Sequence, residues 1–143
     1  MLSIWIMMVR GGYAGHGETY MHPEDILWWS KGGVLYGISP ERIAFLRRII
    51  EAGPADGHTP FHNDWDVEYS GKQGEYYLYY FGNRQPSFKE IILPRDGCFN
   101  IDIIDCWEMT ITPLSGTFSG KVRINLPAKQ YMALRASAIL NLA

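Results

Sequence analysis

Cysteine is scarce in this chain: Cys98 and Cys106 are the only two among 143 residues. No Cys-x-x-Cys spacing exists, which excludes a thiolate zinc site, and two cysteines are too few for a disulfide scaffold. On one extended strand they would lie roughly 26 Å apart, too far to bridge. Only a hairpin between them could pair them, and both read as reduced core residues. A basic field is also missing. Thirteen Lys and Arg face fifteen Asp and Glu, for a net charge of −2 and an isoelectric point near 6.1. That argues against nucleic acid as a partner. The apolar run Leu2-Ser-Ile-Trp-Ile-Met-Met-Val9 is too short to span a bilayer. It lacks a basic n-region and a clear cleavage site, so it makes a poor signal peptide and reads instead as a truncated helix. No internal repeat or low-complexity tract is present. The expectation from these absences is a cytoplasmic chain with no membrane partner, no bound metal and no cofactor.

What is abundant is aromatic surface. Aromatic residues make up 14% of the chain, with five Trp and nine Tyr. Such a surplus marks a carbohydrate or protein contact surface, or equally a β-rich core, since strands favour aromatics. At 47% hydrophobic residues, a chain of this length buries a core without disulfides or metals.

The densest segment runs from Arg10 to Gly33, Arg-Gly-Gly-Tyr-Ala-Gly-His-Gly-Glu-Thr-Tyr-Met-His-Pro-Glu-Asp-Ile-Leu-Trp-Trp-Ser-Lys-Gly-Gly. It packs glycines, ionisable groups and large rings together. Glycines let the backbone turn sharply or approach a ligand. Rings beside carboxylates and imidazoles suit a polar ligand with apolar faces, such as a sugar.

Two zones follow from the periodicity. Residues 1–57 look mixed and mostly helical; residues 58–143 look all-β. The clearest helix is Ser39–Ala52, with Ser39 as N-cap, Pro40 at the first helical position, and Gly53-Pro54 as its stop. Its expected apolar stripe is Ile43, Leu46 and Ile50, with Phe45 and Ile49 at its margin. A second short helix is expected from Pro23. In the β-zone, 74–81 and 87–93 read as strands. Phe99, Ile101 and Ile103 alternate with polar residues, as do Trp107, Met109 and Ile111, with a bend at Asp105-Cys106 between them. Val122, Ile124 and Leu126 mark another strand, and 131–136 the last. Short strands separated by Gly and Pro imply an antiparallel sandwich. The fold class expected is α+β, mainly an antiparallel β-sandwich with a short helical N-terminal segment. The β-zone is expected to fold by itself.

Several stretches resemble one known family. They are Arg10-Gly-Gly-Tyr-x-Gly-His-Gly-Glu-Thr-Tyr20, His22-Pro-Glu-Asp-Ile-Leu-Trp-Trp-Ser30, Ser39-Pro-Glu-Arg-Ile-Ala-Phe-Leu46, Tyr76–Gly82 and Gln85-Pro-Ser-Phe88. To these add Ile104-Asp-x-Trp-x-Met-Thr-Ile-Thr-Pro-Leu114 and Gly116-Thr-Phe-Ser-Gly120. The family is a group of bacterial proteins assigned as glycoside hydrolases, with an N-terminal β-domain, a central TIM barrel and a C-terminal β-sandwich of unknown function. The resemblance implies that this chain corresponds to the C-terminal end of such a protein. Residues 1–57 would be the remnant of the last barrel strand, its loop and helices, and 58–143 the C-terminal domain. Most of the barrel is absent, including the strand ends where related enzymes keep their two carboxylates.

By that resemblance the Arg10–Trp29 loop would contact a sugar, with His16, Glu18, Tyr20, Trp28 and Trp29 as substrate-binding residues. His16 and Glu18 serve equally well as a polar pair fixing a glycine-rich loop. Trp28 and Trp29 point about 100° apart on a helix, so at most one can face a given pocket. No residue is assigned as catalytic, because glycoside hydrolysis needs two carboxylates at a controlled separation. Two groupings resemble metal clusters, His16 with Glu18 and His22, and His58 with His62 and Asp64; neither matches a ligand spacing, and Pro60 forbids a helical face between His58 and His62. The function expected is a C-terminal fragment of a glycoside hydrolase whose sandwich braces the barrel and which is not catalytic alone. The alternatives are a non-catalytic carbohydrate-binding module and a structural or assembly domain. The expected partners are carbohydrate and a second copy of the chain, in a homodimer through the apolar segment 2–9.

Overall fold

The computed structural model describes residues 2–13, 37–62 and 64–139. The expected helix from Pro23 lies outside them. Among the described residues two helices, α1 (Leu2–Val9) and α2 (Ser39–Glu51), precede eight strands: β1 (Thr59–Phe61), β2 (Glu68–Lys72), β3 (Tyr76–Tyr80), β4 (Phe88–Ile92), β5 (Phe99–Asp105), β6 (Thr110–Pro113), β7 (Lys121–Asn125) and β8 (Met132–Ala138). Six form one antiparallel sheet in the order β1-β2-β3-β8-β5-β6; β4 and β7 form a second, antiparallel pair. The expected α+β class with a predominant antiparallel sandwich is what the chain adopts.

The alternation of side chains along a strand divides β3 between two cores. Tyr77 and Tyr79 face the β4–β7 pair, joining Ile91, Phe99, Ile101, Ile124 and Leu134. Tyr76, Leu78 and Tyr80 face the helices, joining Trp5, Val9, Phe45, Leu46 and Ile49. All five residues of the strand are buried. The register Tyr77↔Ala136 and Tyr79↔Leu134 sets large rings opposite small or aliphatic partners, so that the layers interlock. On the helical side, Asp102 and Arg135 sit directly opposite each other. They form a half-buried ion pair, Nη2 to Oδ2 2.7 Å and Nε to Oδ2 2.8 Å. Tyr76 donates its hydroxyl to the Ile49 carbonyl at 3.1 Å, which ties α2 to the sheet; burial pushes its phenol pKa up to about 12.

Several local expectations are corrected. Ser39 is the first helical residue, not the cap. Ile38 is the N-cap, with no side-chain cap bond; its carbonyl accepts from Arg42 N–H at 3.1 Å. The buried stripe of α2 is Phe45, Leu46 and Ile49, with Ile43 and Ile50 only half-buried, because the sheet meets the helix on that side. Trp107 and Met109 are not in a strand: residues 106–109 form the turn between β5 and β6. The Asp105 carboxylate accepts from the N–H groups of Trp107 (3.0 Å) and Glu108 (2.9 Å) and closes that turn, a local bond that outcompetes strand pairing. Both cysteines are free, but only Cys106 is buried; Cys98 is exposed. Burial pushes the Cys106 thiol pKa far up, which makes it inert.

The apolar N-terminal helix packs on the chain's own sheet. Trp5 and Val9, one turn apart, are fully buried, and the Trp5 ring stacks on Tyr80 at 5.1 Å. A homodimer through residues 2–9 would have to use the remaining side, where Met7 is exposed. The boundary expected at 57/58 likewise runs through a shared core. A fragment of residues 58–143 would uncover Tyr76, Leu78, Tyr80, Ile104 and Ala133, a patch of the kind monomers rarely leave open. Such a fragment is expected to melt without cooperativity and to bind a hydrophobic dye; a sharp, dye-free transition would instead establish an autonomous sandwich.

Glycine is required at one strand position. Gly71 in β2 has φ 153°, and a Cβ there would lie 1.9 Å from the Tyr76 carbonyl oxygen. Overpacking costs about 1–3 kcal/mol, and strained backbone costs about as much again. Gly71→Ala is therefore expected to lose at least about 2 kcal/mol in chemical denaturation; an unchanged midpoint would show that the β2–β3 pair can open to admit a methyl group.

Candidate functional site

The glycine-rich segment leaves helix α1 through a tight closure. Gly11 N–H donates to Met8 O at 3.1 Å and Gly12 N–H to Met7 O at 2.8 Å, a helix end that favours glycine. Gly11 has φ 78°, and a Cβ there would come within 2.8 Å of Pro60 Cγ. Only glycine lets the chain cross so close to edge strand β1. Arg10, just before it, pairs with Glu68 on β2; that hydrogen bond holds the Glu68 carboxyl below its ordinary pKa. Beyond the crossing lies a cleft of about 510 Å3, lined by Gly12, Tyr13, Ile50, Asp56 and His58 among others. Tyr13 stands at its mouth, 94% exposed. The cleft is within the range of small-ligand sites, with apolar walls from Met8 and Ile50 and polar groups from Asp56 and His58.

His58 is built into the wall. Its Nε2 lies 3.3 Å from the Ile50 carbonyl and its Nδ1 3.4 Å from Ser70 Oγ. A carbonyl only accepts, so the neutral ring carries its proton on Nε2, and Nδ1 accepts from the fully buried Ser70 hydroxyl. Gly53 makes room for the ring: a Cβ there would fall 2.3 Å from His58 Nε2. The ring meets Tyr76 edge-on at 5.1 Å. His58 is thus a strut between α2, β2 and β3. Asp64, the carboxylate of the rejected His58–His62–Asp64 cluster, is bound to Lys89 (2.6 Å), as is Asp66 (3.0 Å). Burial lowers the Lys89 pKa, but the two carboxylates outweigh it and the ammonium is stabilised. Among the described residues no group of three or more His, Cys, Asp or Glu side chains could hold a metal ion.

The substrate-binding residues expected from the sequence, His16, Glu18, Tyr20, Trp28 and Trp29, lie outside the described residues, as does His22. What the sequence reading missed is the polar framework: the Lys89 bridge, the His58–Ser70 contact, and Trp107 held between Arg42 and Tyr131. The signal for the last was present in Asp105-Cys106-Trp107-Glu108, an acidic residue opening a turn.

Desolvation lowers the His58 pKa below 6.5, and the Ile50 carbonyl only partly opposes it. The folded chain therefore prefers the neutral ring. Its contribution is complete above the unfolded value near 6.5 and is lost as pH falls below it. The lowered carboxylates Asp66, Glu68 and Asp105 lose theirs only under more acidic conditions, below the ordinary carboxylate range. Calorimetry at pH 7 and pH 5 is expected to show a larger fall in Tm for the chain than for His58→Gln; parallel falls would mean that His58 does not sense pH.

Comparison with known proteins adds to this geometry. No curated protein matches the chain. The chain is similar to part of a crystal structure of "a putative glycoside hydrolase from Bacteroides vulgatus ATCC 8482", with 28% identity and a TM-score of 0.73. The match covers 92% of this chain and 30% of that protein, so the chain spans under a third of the length of its structural relative. Residues 65–137, just over half of the chain and nearly all of the sandwich, match a family described as a "Domain of unknown function (DUF5605)". The chain therefore belongs to the DUF5605 family and is related in fold and sequence to part of a glycoside-hydrolase-like protein.

Proposed function

We propose that this chain is the C-terminal part of a glycoside hydrolase: its sandwich braces a catalytic barrel, and the Arg10–Trp29 segment contributes contacts to the sugar. In this reading His16, Glu18 and Tyr20 position substrate hydroxyls, and one of Trp28 and Trp29 stacks on a ring. Residues 1–57 carry the last barrel elements. The observation that carries it is the likeness of 92% of the chain to under a third of a longer, glycoside-hydrolase-like protein. The cleft reached by Gly12 and Tyr13 adds support, because it opens where the segment begins.

The chain alone is not catalytic in this reading. Cleavage of a glycosidic bond uses one carboxyl group as acid and a second as nucleophile or base, held about 5–9.5 Å apart. Among the described residues, Asp102, Asp105, Glu68, Asp64 and Asp66 are each bound to a cation, which suits structure and not proton transfer.

The purified chain is expected to show no turnover on a panel of aryl glycosides, yet to bind oligosaccharides in calorimetric titration. Trp28→Ala or Trp29→Ala, and Glu18→Gln, should each weaken that binding roughly tenfold, as the loss of one contact of about 1.4 kcal/mol does. Turnover that vanishes in Glu18→Gln would make Glu18 catalytic and overturn the proposal. Binding indifferent to all three substitutions would remove the Arg10–Trp29 segment from the sugar site.

A further inference from the structure

A second cavity, of about 360 Å3, lies at the other end of the sheet, between the β5–β6 turn and the loop before β8. Its walls are unusually fixed. Among the described residues, three that are not glycine have left-handed backbone, Met109 (φ 57°), Ala128 (φ 52°) and Tyr131 (φ 60°). Such residues are a few per cent of the non-glycine population. Here they occur in the two loops that form the cavity, Ala128 and Tyr131 in its lining and Met109 just past Glu108. Strained backbone persists only where the surroundings over-determine it, and the contacts that do so are visible. Tyr131 N–H donates to Gly82 O at 2.7 Å, and Tyr131 O accepts from Cys106 N–H at 2.9 Å. Asp105 joins the loops: one oxygen takes the turn amides and the other takes Lys129 Nζ at 2.9 Å. Trp107 carries the Arg42 guanidinium 3.6 Å over its centroid and stacks on Tyr131 at 5.3 Å. Trp107 is nonetheless 46% exposed, so part of the indole faces the solvent beside the cavity.

The lining specifies the ligand. Asp105 pairs with Lys129 at 2.9 Å, and Glu108 adds a second carboxylate to the wall that forms no salt bridge among the described residues. That disfavours an anion. Gln85 and Gln130 are exposed into the same space, and an amide both donates and accepts, as a hydroxyl does. The exposed part of the Trp107 indole and the Tyr131 ring supply an apolar wall. We infer that this cavity binds a neutral polyhydroxylated ligand, a single sugar unit, at a site separate from the Arg10–Trp29 segment. The volume is at the small end of ligand pockets, which matches one ring and not an extended chain.

The test is a titration of the 15N-labelled full chain with glucose, galactose, mannose, xylose and cellobiose, followed by NMR. At least one neutral sugar should move, saturably, the Trp107 indole N–H, the amides of 107–109 and 128–131, and the side-chain amides of Gln85 and Gln130. Glucuronate should bind at least threefold more weakly than its neutral counterpart, and Glu108→Gln should close that gap. The double variant Gln85→Ala/Gln130→Ala alters exposed side chains and should fold, yet lose at least tenfold in affinity. Glu18→Gln and Trp28→Ala should leave these shifts in place, which separates this site from the one proposed above. No saturable shift at these resonances would overturn the inference. So would shifts unchanged in the double variant, or shifts abolished by Trp28→Ala, which would mean a single site.

Discussion

Strand β3 is buried on both faces, and the rest of the chain is arranged around that constraint. Five consecutive large side chains, Tyr76-Tyr-Leu-Tyr-Tyr80, need cover on two sides. The β4–β7 pair covers Tyr77 and Tyr79; helices α1 and α2 cover Tyr76, Leu78 and Tyr80. All four tyrosines are buried, and burial pushes the phenols of Tyr79 and Tyr80 well above their ordinary range. They stay neutral and act as packing. The helices are thus a third layer on the sandwich. Trp5 shows how completely they are used, since its ring is buried with the indole N–H unpaired among the described residues.

Polar groups then fix what packing leaves free. Most join elements distant in sequence: Arg10 to Glu68, His58 to Ser70 and Ile50, Lys89 to Asp64 and Asp66, Asp102 to Arg135, Asp105 to Lys129. The exposed pairs among them contribute at most about 1 kcal/mol each, so their importance is geometric. Asp105 shows the balance. Burial raises its pKa, but the Glu108 N–H, the Lys129 ammonium and the Trp107 N–H together outweigh it and keep the carboxylate charged. The same contacts close the β5–β6 turn and hold the loop opposite, so one side chain organises a whole end of the sandwich.

The sequence carried most of the fold because the fold rests on periodicity. Alternation in Phe99–Ile103 and Val122–Leu126, and the double pairs of tyrosines, located the strands and their faces. It failed where a local bond overrode the pattern. Trp107, Met109 and Ile111 alternate as a strand would, yet the Asp105 carboxylate converts their first half into a turn. It also failed for β1, where Thr59-Pro-Phe61 has no period to read; Pro60 is tolerated because this is an edge strand, and pairing with β2 alone defines it. Ser39 looked like a cap because its residue type is right, but the helix starts one position earlier relative to it. The residues expected to contact sugar fall at 16–29, outside the described residues, while the cleft beside Gly12 and Tyr13 was invisible in sequence because it is assembled from α1, α2 and the approach to β1.

Residues 65–137 carry the family match, yet residues outside that span, on both helices, close half of its core. Native-state hydrogen exchange tests this most directly. If β3 joins the layers into one unit, the interior amides of α2, residues 45–50, should exchange through the same global opening as those of β3 and β8, with free energies alike within about 1 kcal/mol. Exchange of the α2 amides several kcal/mol more readily, with β3 and β8 still protected, would contradict the account and make the helices an appendage on an independent sandwich.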